Sequence, residues 1–260
     1  MKLTFYKYQG TGNDFIIVDN RLFKIGKNDT KKIAHWCDRR FGIGADGFIM
    51  LENHPKYDFR MVYFNADGNE SSMCGNGGRC ITAFAKYLKI IDNQTTFEAI
   101  DGLHEAQIDD NGIVSLKMQD VESINSNNDF TFLDTGSPHH VKMAENVSDI
   151  NVKLDGAAIR YSDLYKANGC NINFVEQLSN NTFKVRTYER GVEDETFSCG
   201  TGVTAVALAM HANKKTTEQT VQLITEGGDL QVKFDSSGKG YHNIWLIGPA
   251  VQVFKGEIEW

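Results

Sequence analysis

Two short stretches place a thiol beside glycines at the threshold of a helix. Residues 73–80 read MCGNGGRC and run into ITAFAKYLK, and residues 198–202 read SCGTG and run into VTAVALAMHA. A cysteine at or just before a helix N-terminus faces unpaired backbone N–H groups and the positive end of the helix dipole. That setting draws a thiol from about 8.5 toward neutrality and makes thiolate available. The same N–H groups form an anion site, and glycines let a small molecule approach the backbone. Each stretch therefore offers one activated sulfur, Cys74 or Cys199, and half of a cradle for a carboxylate. Two acid–base groups on opposite faces of one carbon invert a stereocentre. One removes the proton as thiolate, the other delivers a proton as thiol, and helix N-termini aimed at the neighbouring carboxylate stabilise the carbanion between.

Other chemistries fit less well. The phosphate-loop pattern GxxxxGK[ST] is absent, and the dinucleotide pattern GxGxxG is broken by Cys80 at its last glycine. A metal site asks for several ligands at fixed spacing, whereas the 7 histidines are scattered except for His139-His140. The 5 cysteines contain no CxxC pair and are odd in number, which argues against a disulfide framework or a zinc knuckle. Cys37, Cys80 and Cys170 read as packing residues. No metal and no cofactor are expected. Glycines that merely let a helix pack closely would explain one copy of the motif; a matched pair is harder to explain that way.

The elements that must position these thiols repeat as well. Before each cysteine lies a strand-like alternation and then an acidic, glycine-containing loop: RMVYFNADGNESSM before Cys74, KVRTYERGVEDETFS before Cys199. Further upstream, Thr11-Gly12-Asn13 and Thr135-Gly136-Ser137 each follow a strand pattern. Gly12 precedes Cys74 by 62 positions and Gly136 precedes Cys199 by 63. Two motifs that keep their spacing indicate a duplication into two similar halves, not a solenoid, which would show more copies at a much shorter period. Strands are expected at KLTFYKY, DFIIVD, FRMVYF, TTFEAI and IVSLKM in the first half, and at FTFLD, HHVKM, TFKVRTY, TVQLIT, LQVKF and NIWLI in the second. Helices are expected near 29–40, 77–90 and 200–213, and the polar stretch 120–129 reads as a linker. The fold class that follows is α+β: two domains related by pseudo-twofold symmetry, each a mostly antiparallel sheet wrapped around a central helix. The expected spans are 1–118 and 119–249.

The chain of 260 residues is long enough for a buried core in each half. A formal net charge of −7 argues against nucleic acid or an anionic membrane as the main partner, and no apolar run reaches the length of about 18 residues that spans a bilayer. The first residues alternate like a strand and show no signal-peptide core. A cytoplasmic protein acting on a small molecule is the expectation.

In order along the chain stand TGNDF (11–15), FGIGADG (41–47), FNADG (64–68), MCGNGGRC (73–80), TGSPHHV (135–141), YERGVEDET (188–196) and SCGTG (198–202). Together they closely resemble the diaminopimelate epimerase family, over nearly the whole length. The resemblance implies interconversion of L,L- and meso-diaminopimelate without metal or pyridoxal phosphate, on a fold of two similar domains with the active site between them. It implies that the C-terminal strand, 250–260, returns to the first domain, and it makes a homodimer the expected assembly. Cys74 and Cys199 would be the acid–base pair. Gly75-Asn76 and Gly200-Thr201 would cradle the reacting carboxylate. Glu189 would meet the ammonium of the reacting centre and Arg190 the remote carboxylate, a role that suits the guanidinium fork. Asn13, Asn65 and Asn171 would read substrate amines and carboxylates, and His139 would stand near the thiols and orient or tune them. Two positions depart from the family pattern: Gly47, where some members carry Gln, and Ser137, where many carry Asn. Gly47 has no side chain to offer, and Ser137 is too short to replace an amide except through water. The rival readings are another two-cysteine racemase of the proline racemase type, an isomerase of the phenazine-biosynthesis type, and a binding protein that kept the fold without the chemistry. Retention of both thiols speaks against the last two.

Overall fold

The computed structural model describes residues 2–23, 25–165, 168–238 and 240–259. The chain divides into two compact units, residues 1–116 with 248–260, and residues 117–247. The first unit contains β1 (Lys2–Gly10), β2 (Asn13–Asp19), α1 (Thr30–Cys37), β3 (Gly47–Glu52), β4 (Phe59–Asn65), β5 (Glu70–Ser71), α2 (Gly75–Tyr87), β6 (Gln94–Ala99), β7 (Gly102–Ile108) and β8 (Ile113–Lys117). The second contains β9 (Asn125–Ser126), β10 (Thr131–Asp134), β11 (Pro138–Met143), a 3₁₀ turn (Val147–Asp149), α3 (Val152–Arg160), β12 (Asn171–Gln177), β13 (Thr182–Glu189), β14 (Asp194–Thr196), α4 (Gly200–Ala212), β15 (Thr220–Thr225), β16 (Gly228–Ser237) and β17 (Gly240–Pro249). The last strand, β18 (Val251–Glu259), runs antiparallel to β1 and so belongs to the first unit.

The duplication seen in the motifs extends to the pairing. In the first unit β1–β2, β3–β4, β4–β5, β6–β7 and β7–β8 are antiparallel, while β2–β3 and β4–β6 are parallel. In the second, β10–β11, β12–β13, β13–β14, β15–β16 and β16–β17 are antiparallel, while β11–β12 and β13–β15 are parallel. Each parallel pair is joined through a helix, as a parallel connection requires. The architecture is thus α+β and mostly antiparallel, with two helix-linked parallel pairings per unit that the alternation pattern had not indicated.

The central helices α2 and α4 are 13 residues each and begin immediately after a cysteine. In α4 nine consecutive positions, Gly202 to Met210, are buried, because GTGVTAVALAMHA carries no charge before its last turn. A helix that is apolar all round belongs inside. Both helices end alike. Lys89 (φ 59°) and Lys214 (φ 58°) turn left-handed, and Ile90 N and Lys215 N reach back to the carbonyls of Ala85 and Met210. The helix therefore stops at Tyr87, short of the expected residue 90. The smaller helices cover separate clusters: α1 contributes Ile33, Trp36 and Cys37 to a core with Ile16, Phe48 and Phe64, and α3 packs Val152 and Ala157 with Ile172 and Tyr188.

The stretch expected to be a linker is bound into the second unit. Val121 is buried and exchanges both backbone hydrogen bonds with Tyr241, at 2.9 and 2.8 Å, and Asn125–Ser126 pairs with β10.

Candidate active site

In the first unit, Cys74 is the N-cap of α2, and its extended backbone (φ −98°, ψ 149°) turns the sulfur over the first helical turn. There Sγ accepts from Gly77 N–H at 3.2 Å. Glycine at 77 keeps this approach open: a Cβ there would lie 3.3 Å from the sulfur. The β1–β2 hairpin brings in Asn13. Its two-residue loop, Thr11 (φ 49°) and Gly12 (φ 85°), has the left-handed conformation at both positions that a tight hairpin needs.

The orientation of the Asn13 amide follows from its partners. Nδ2 donates to Asp46 Oδ2 at 2.8 Å, and a carboxylate can only accept. Oδ1 therefore faces the helix, where it receives Asn76 Nδ2 at 3.3 Å and stands 3.8 Å from Cys74 Sγ. Asp46 is held in turn by Arg39, which spans Asp46 and Asp14 at 2.7 Å each. Lys7 also pairs with Asp14, at 2.7 Å. Burial would raise the Asp14 carboxyl, but the hydrogen bonds and charges of Arg39 and Lys7 outweigh it and hold the group down to about 2. Asn65 ends β4 and is exposed, with its backbone closing the FNADG turn through Gly68 N–H to Asn65 O at 2.9 Å. Gly75 and Asn76 are buried in the first turn.

Gly47 pairs with Asn65 across β3 and β4. A Cβ on Gly47 would lie 2.5 Å from the Tyr63 ring and 2.8 Å from Phe64 O, so the Tyr63 ring fills the space a side chain at 47 would need.

In the second unit Cys199 is the N-cap of α4 and is buried, with Sγ 3.4 Å from Thr201 Oγ1. The Thr201 carbonyl accepts from Thr135 Oγ1 at 2.8 Å, which ties the β10–β11 hairpin to this helix end. Asn171, at the start of β12, takes Arg190 N–H on Oδ1 at 2.8 Å and directs Nδ2 toward Pro138 O and His139 Nε2, at 3.4 and 3.5 Å. Glu189 is half-buried and its Oε2 accepts from Thr196 Oγ1 at 3.0 Å. Arg190 is exposed, with Nη1 on Asn168 O at 3.0 Å. Ser137 is half-buried, and its carbonyl closes the hairpin with Thr135 N–H at 3.2 Å.

His139 is fully buried. Burial first, and then the Arg190 charge, pull its pKa down to about 3, so the ring is neutral at ordinary pH. Its Nδ1 lies 3.1 Å from Asn173 Nδ2, while Asn173 Oδ1 is taken by Thr187 Oγ1 at 3.0 Å. Asn173 thus presents its NH₂ to Nδ1 at 3.1 Å, and Asn171 presents its own NH₂ to Nε2 at the longer 3.5 Å, so the neutral ring is held between two amides.

Within each unit the structure groups the residues that the motifs named: Asn13, Cys74, Gly75 and Asn76 in one, Asn171, His139 and Arg190 in the other, with Cys199, Gly200 and Thr201 at the α4 end. Motif reading missed Asp46, Arg39, Arg79 and Asn173. A signal for Asn173 exists: in CNINF, Asn171 and Asn173 alternate and so share one face of a strand. The remaining thiols behave differently. Burial pushes Cys37 and Cys170 up to about 12 and raises Cys80 as well, so these stay protonated and inert.

Comparison with known proteins places these observations. A family model described as Diaminopimelate epimerase matches residues 5–124 and 131–253. The chain is 58% identical over 258 residues to the diaminopimelate epimerase of Flavobacterium psychrophilum, covering 99% of this chain and 100% of that one. Among solved structures, a Bacillus anthracis phenazine biosynthesis protein of the PhzF family superposes with a TM-score of 0.80 at 15% identity, covering 100% of both chains. A hydroxyproline epimerase from Agrobacterium vitis, with bound trans-4-hydroxy-L-proline, gives 0.68 at 13% identity over 99% of this chain and 92% of that one. At such identities the two structures speak for the fold alone.

Proposed function

The chain belongs to the diaminopimelate epimerase family, and from that membership we propose that it interconverts L,L- and meso-diaminopimelate. The observation that carries the reading is the pair of cysteines, each the N-cap of a central helix, within a chain 58% identical to a named epimerase over 99% of its own length and 100% of the other's.

In this mechanism one sulfur, as thiolate, takes the proton from the α-carbon, and the C–H electron pair stays on carbon beside the carboxylate. The other sulfur, as thiol, gives its proton to the opposite face. The product leaves the two sulfurs with their protonation states exchanged, and solvent resets them. The α2 and α4 N-termini, with Gly75, Asn76, Gly200 and Thr201, supply N–H and hydroxyl donors to the carboxylate that bears the developing charge. Glu189 takes the ammonium, Arg190 the distant carboxylate, and Asn13, Asn65 and Asn171 read the remaining polar groups. His139, neutral and held between Asn171 and Asn173, stands by the second-unit motif and orients or tunes its thiol. The reaction uses neither metal nor pyridoxal phosphate. Each compact unit is one epimerase domain. The enzyme works in the cytoplasm as a homodimer, in the synthesis of lysine and of the peptidoglycan precursor.

Solvent exchange tests this directly. The reduced protein is incubated with L,L-diaminopimelate in deuterated water and the α-hydrogens are followed by NMR. Loss of one α-proton signal with growth of the meso isomer is expected. Exchange with proline or 4-hydroxyproline in place of diaminopimelate would redirect the assignment to a two-cysteine racemase of the proline type, and no exchange with any of them would remove the epimerase reading.

A further inference from the structure

Arg79 is completely buried in α2, and among the described residues no Asp or Glu carboxylate pairs with it. Helical side chains lean back toward the N-terminus, and this one does. Its guanidinium donates to Gly75 O at 3.4 Å, Asn76 Oδ1 at 2.9 Å and Thr11 Oγ1 at 3.2 Å, and to Pro249 O at 3.4 Å. All are neutral acceptors. A buried cation without a counter-charge is costly, and the cost falls when an anion forms nearby.

The duplication supplies an internal control. The residue five positions beyond Cys74 is Arg79; five beyond Cys199 is Thr204. Each donates to the equivalent backbone carbonyl, Arg79 to Gly75 O and Thr204 Oγ1 to Gly200 O at 2.9 Å. One helix start therefore carries a fixed positive charge where the other carries a neutral hydroxyl. The two sulfurs differ in the matching sense: Cys74 Sγ accepts Gly77 N–H at 3.2 Å, closer than the 3.8 Å to Asn13 Oδ1, to which only the thiol form could donate, whereas the Cys199 side chain makes no such cap.

We propose that Arg79 is a positioning residue that holds Cys74 in its thiolate form, so that Cys74 is the resting base and Cys199 the resting acid. The proposal rests on the reading of both cysteines as proton-transfer groups. The guanidinium remains charged at neutral pH even though burial draws its pKa down to about 10. Other charges at this end of the unit are already committed. Asp14 is bound by Lys7 and Arg39, Asp46 by Arg39, and Asp101, which touches Met73 N–H at 3.4 Å, pairs with His104 at 3.2 Å. Cys80, the next thiol along the helix, stays neutral.

The test needs no turnover. Reduced, ligand-free protein is pulsed with iodoacetamide from about pH 5 to pH 10, and the Cys74 and Cys199 peptides are quantified separately by mass spectrometry. In the wild type the Cys74 midpoint is expected below that of Cys199. In Arg79→Met it should rise by about one pH unit, roughly a fivefold loss of reactivity at the original midpoint, with Cys199 unmoved, while Arg79→Lys stays near wild type. Three results would overturn the proposal: a wild-type Cys74 midpoint at or above that of Cys199, an unshifted Cys74 in a folded Met variant, or a common shift of both sulfurs, the mark of a packing defect. If the Met variant does not fold, the wild-type comparison still decides. Because alkylation is read without substrate, its failure leaves the isotope-exchange result standing, and a negative exchange result leaves the thiol titration readable.

Discussion

Cys74 and Cys199 occupy the same place in two copies of one motif, and each alone is insufficient for inversion, since a single acid–base group can only return its proton to the face it came from. Replacing either with alanine is expected to lower epimerisation about 10³-fold or more, in line with the 10²–10⁴-fold worth of general acid–base catalysis. Turnover within tenfold of wild type by either variant, measured in the coupled or NMR assay, would sink the two-thiol scheme. A subtler effect is expected at Asp46. This carboxylate fixes which end of the Asn13 amide faces Cys74. Asp46→Ala frees the amide to flip, so kcat/KM should fall about tenfold while the protein stays folded, the scale of a lost orienting contact. An unchanged kcat/KM would mean that Asn13 needs no orientation. The cysteines and the glycines beside them were legible in the sequence because a helix start is a local feature, written in adjacent residues, whereas Asn13 was named through the family resemblance. Asp46 was not legible, because its role is fixed by a partner 33 residues away; Asn173 is marked by its alternation with Asn171, but its role is fixed by a partner 34 residues away.

At the scale of elements, two of the strands that alternation did not show share one reason. β3 (GFIMLE) is buried at every position and β12 (NINFVEQ) at its first five. Both are covered on two faces and lie parallel to a neighbour; β3 is polar only at its last residue and the alternating asparagines of β12 are buried, so neither shows a solvent-facing polar period of two. α3 escaped for another reason: Gly156 interrupts its helical pattern. The gap exists because a Cβ there would sit 2.4 Å from Tyr188 Cβ, so the helix is glycine-notched to fit β13. The same kind of contact ranks two substitutions on the central helices. At Gly202 a Cβ would lie 2.6 Å from Asn173 Oδ1, an atom held by Thr187 and attached to the amide that faces His139. At Gly78 it would meet Leu116 Cδ2 and Met73 Sδ at 2.9 Å, the ends of flexible side chains. Gly202→Ala is therefore expected to cost about 1–3 kcal/mol of overpacking and Gly78→Ala less. Thermal unfolding of the two variants checks this, and a larger loss of Tm at Gly78 would contradict the ranking.

For the whole molecule, the sequence showed that there are two halves, because the motif spacing survives. It did not show which titratable groups each half buries, on which acid sensitivity depends. In the second unit His139 is lowered to about 3 and His140 to about 4, both chiefly by burial, with Arg190 and Lys142 adding repulsion; His211 is lowered as well. An unfolded histidine titrates near 6.5. Between that value and the folded one, the unfolded chain binds protons that the folded unit refuses. Stability is therefore complete above about pH 6.5 and drains as pH falls, by about 1.4 kcal/mol per pH unit for each fully neutral buried ring. In the first unit the strongest such shift belongs to Asp14, held down to about 2 by Arg39 and Lys7 against its burial. A depressed carboxylate keeps its contribution above its unfolded value near 3.9 and loses it only as pH falls toward 2. The second unit is thus expected to loosen first on acidification, between about pH 6 and 4, with the first following below about pH 4. Protein equilibrated at a series of pH values, given a brief deuterium pulse at one common pH and mapped by peptide, separates the two. Amides of α4, β12 and β13 should lose protection at a higher pH than those of α2, β3 and β4. Simultaneous loss in both sets, or earlier loss in the first unit, would show that buried histidines do not set the order.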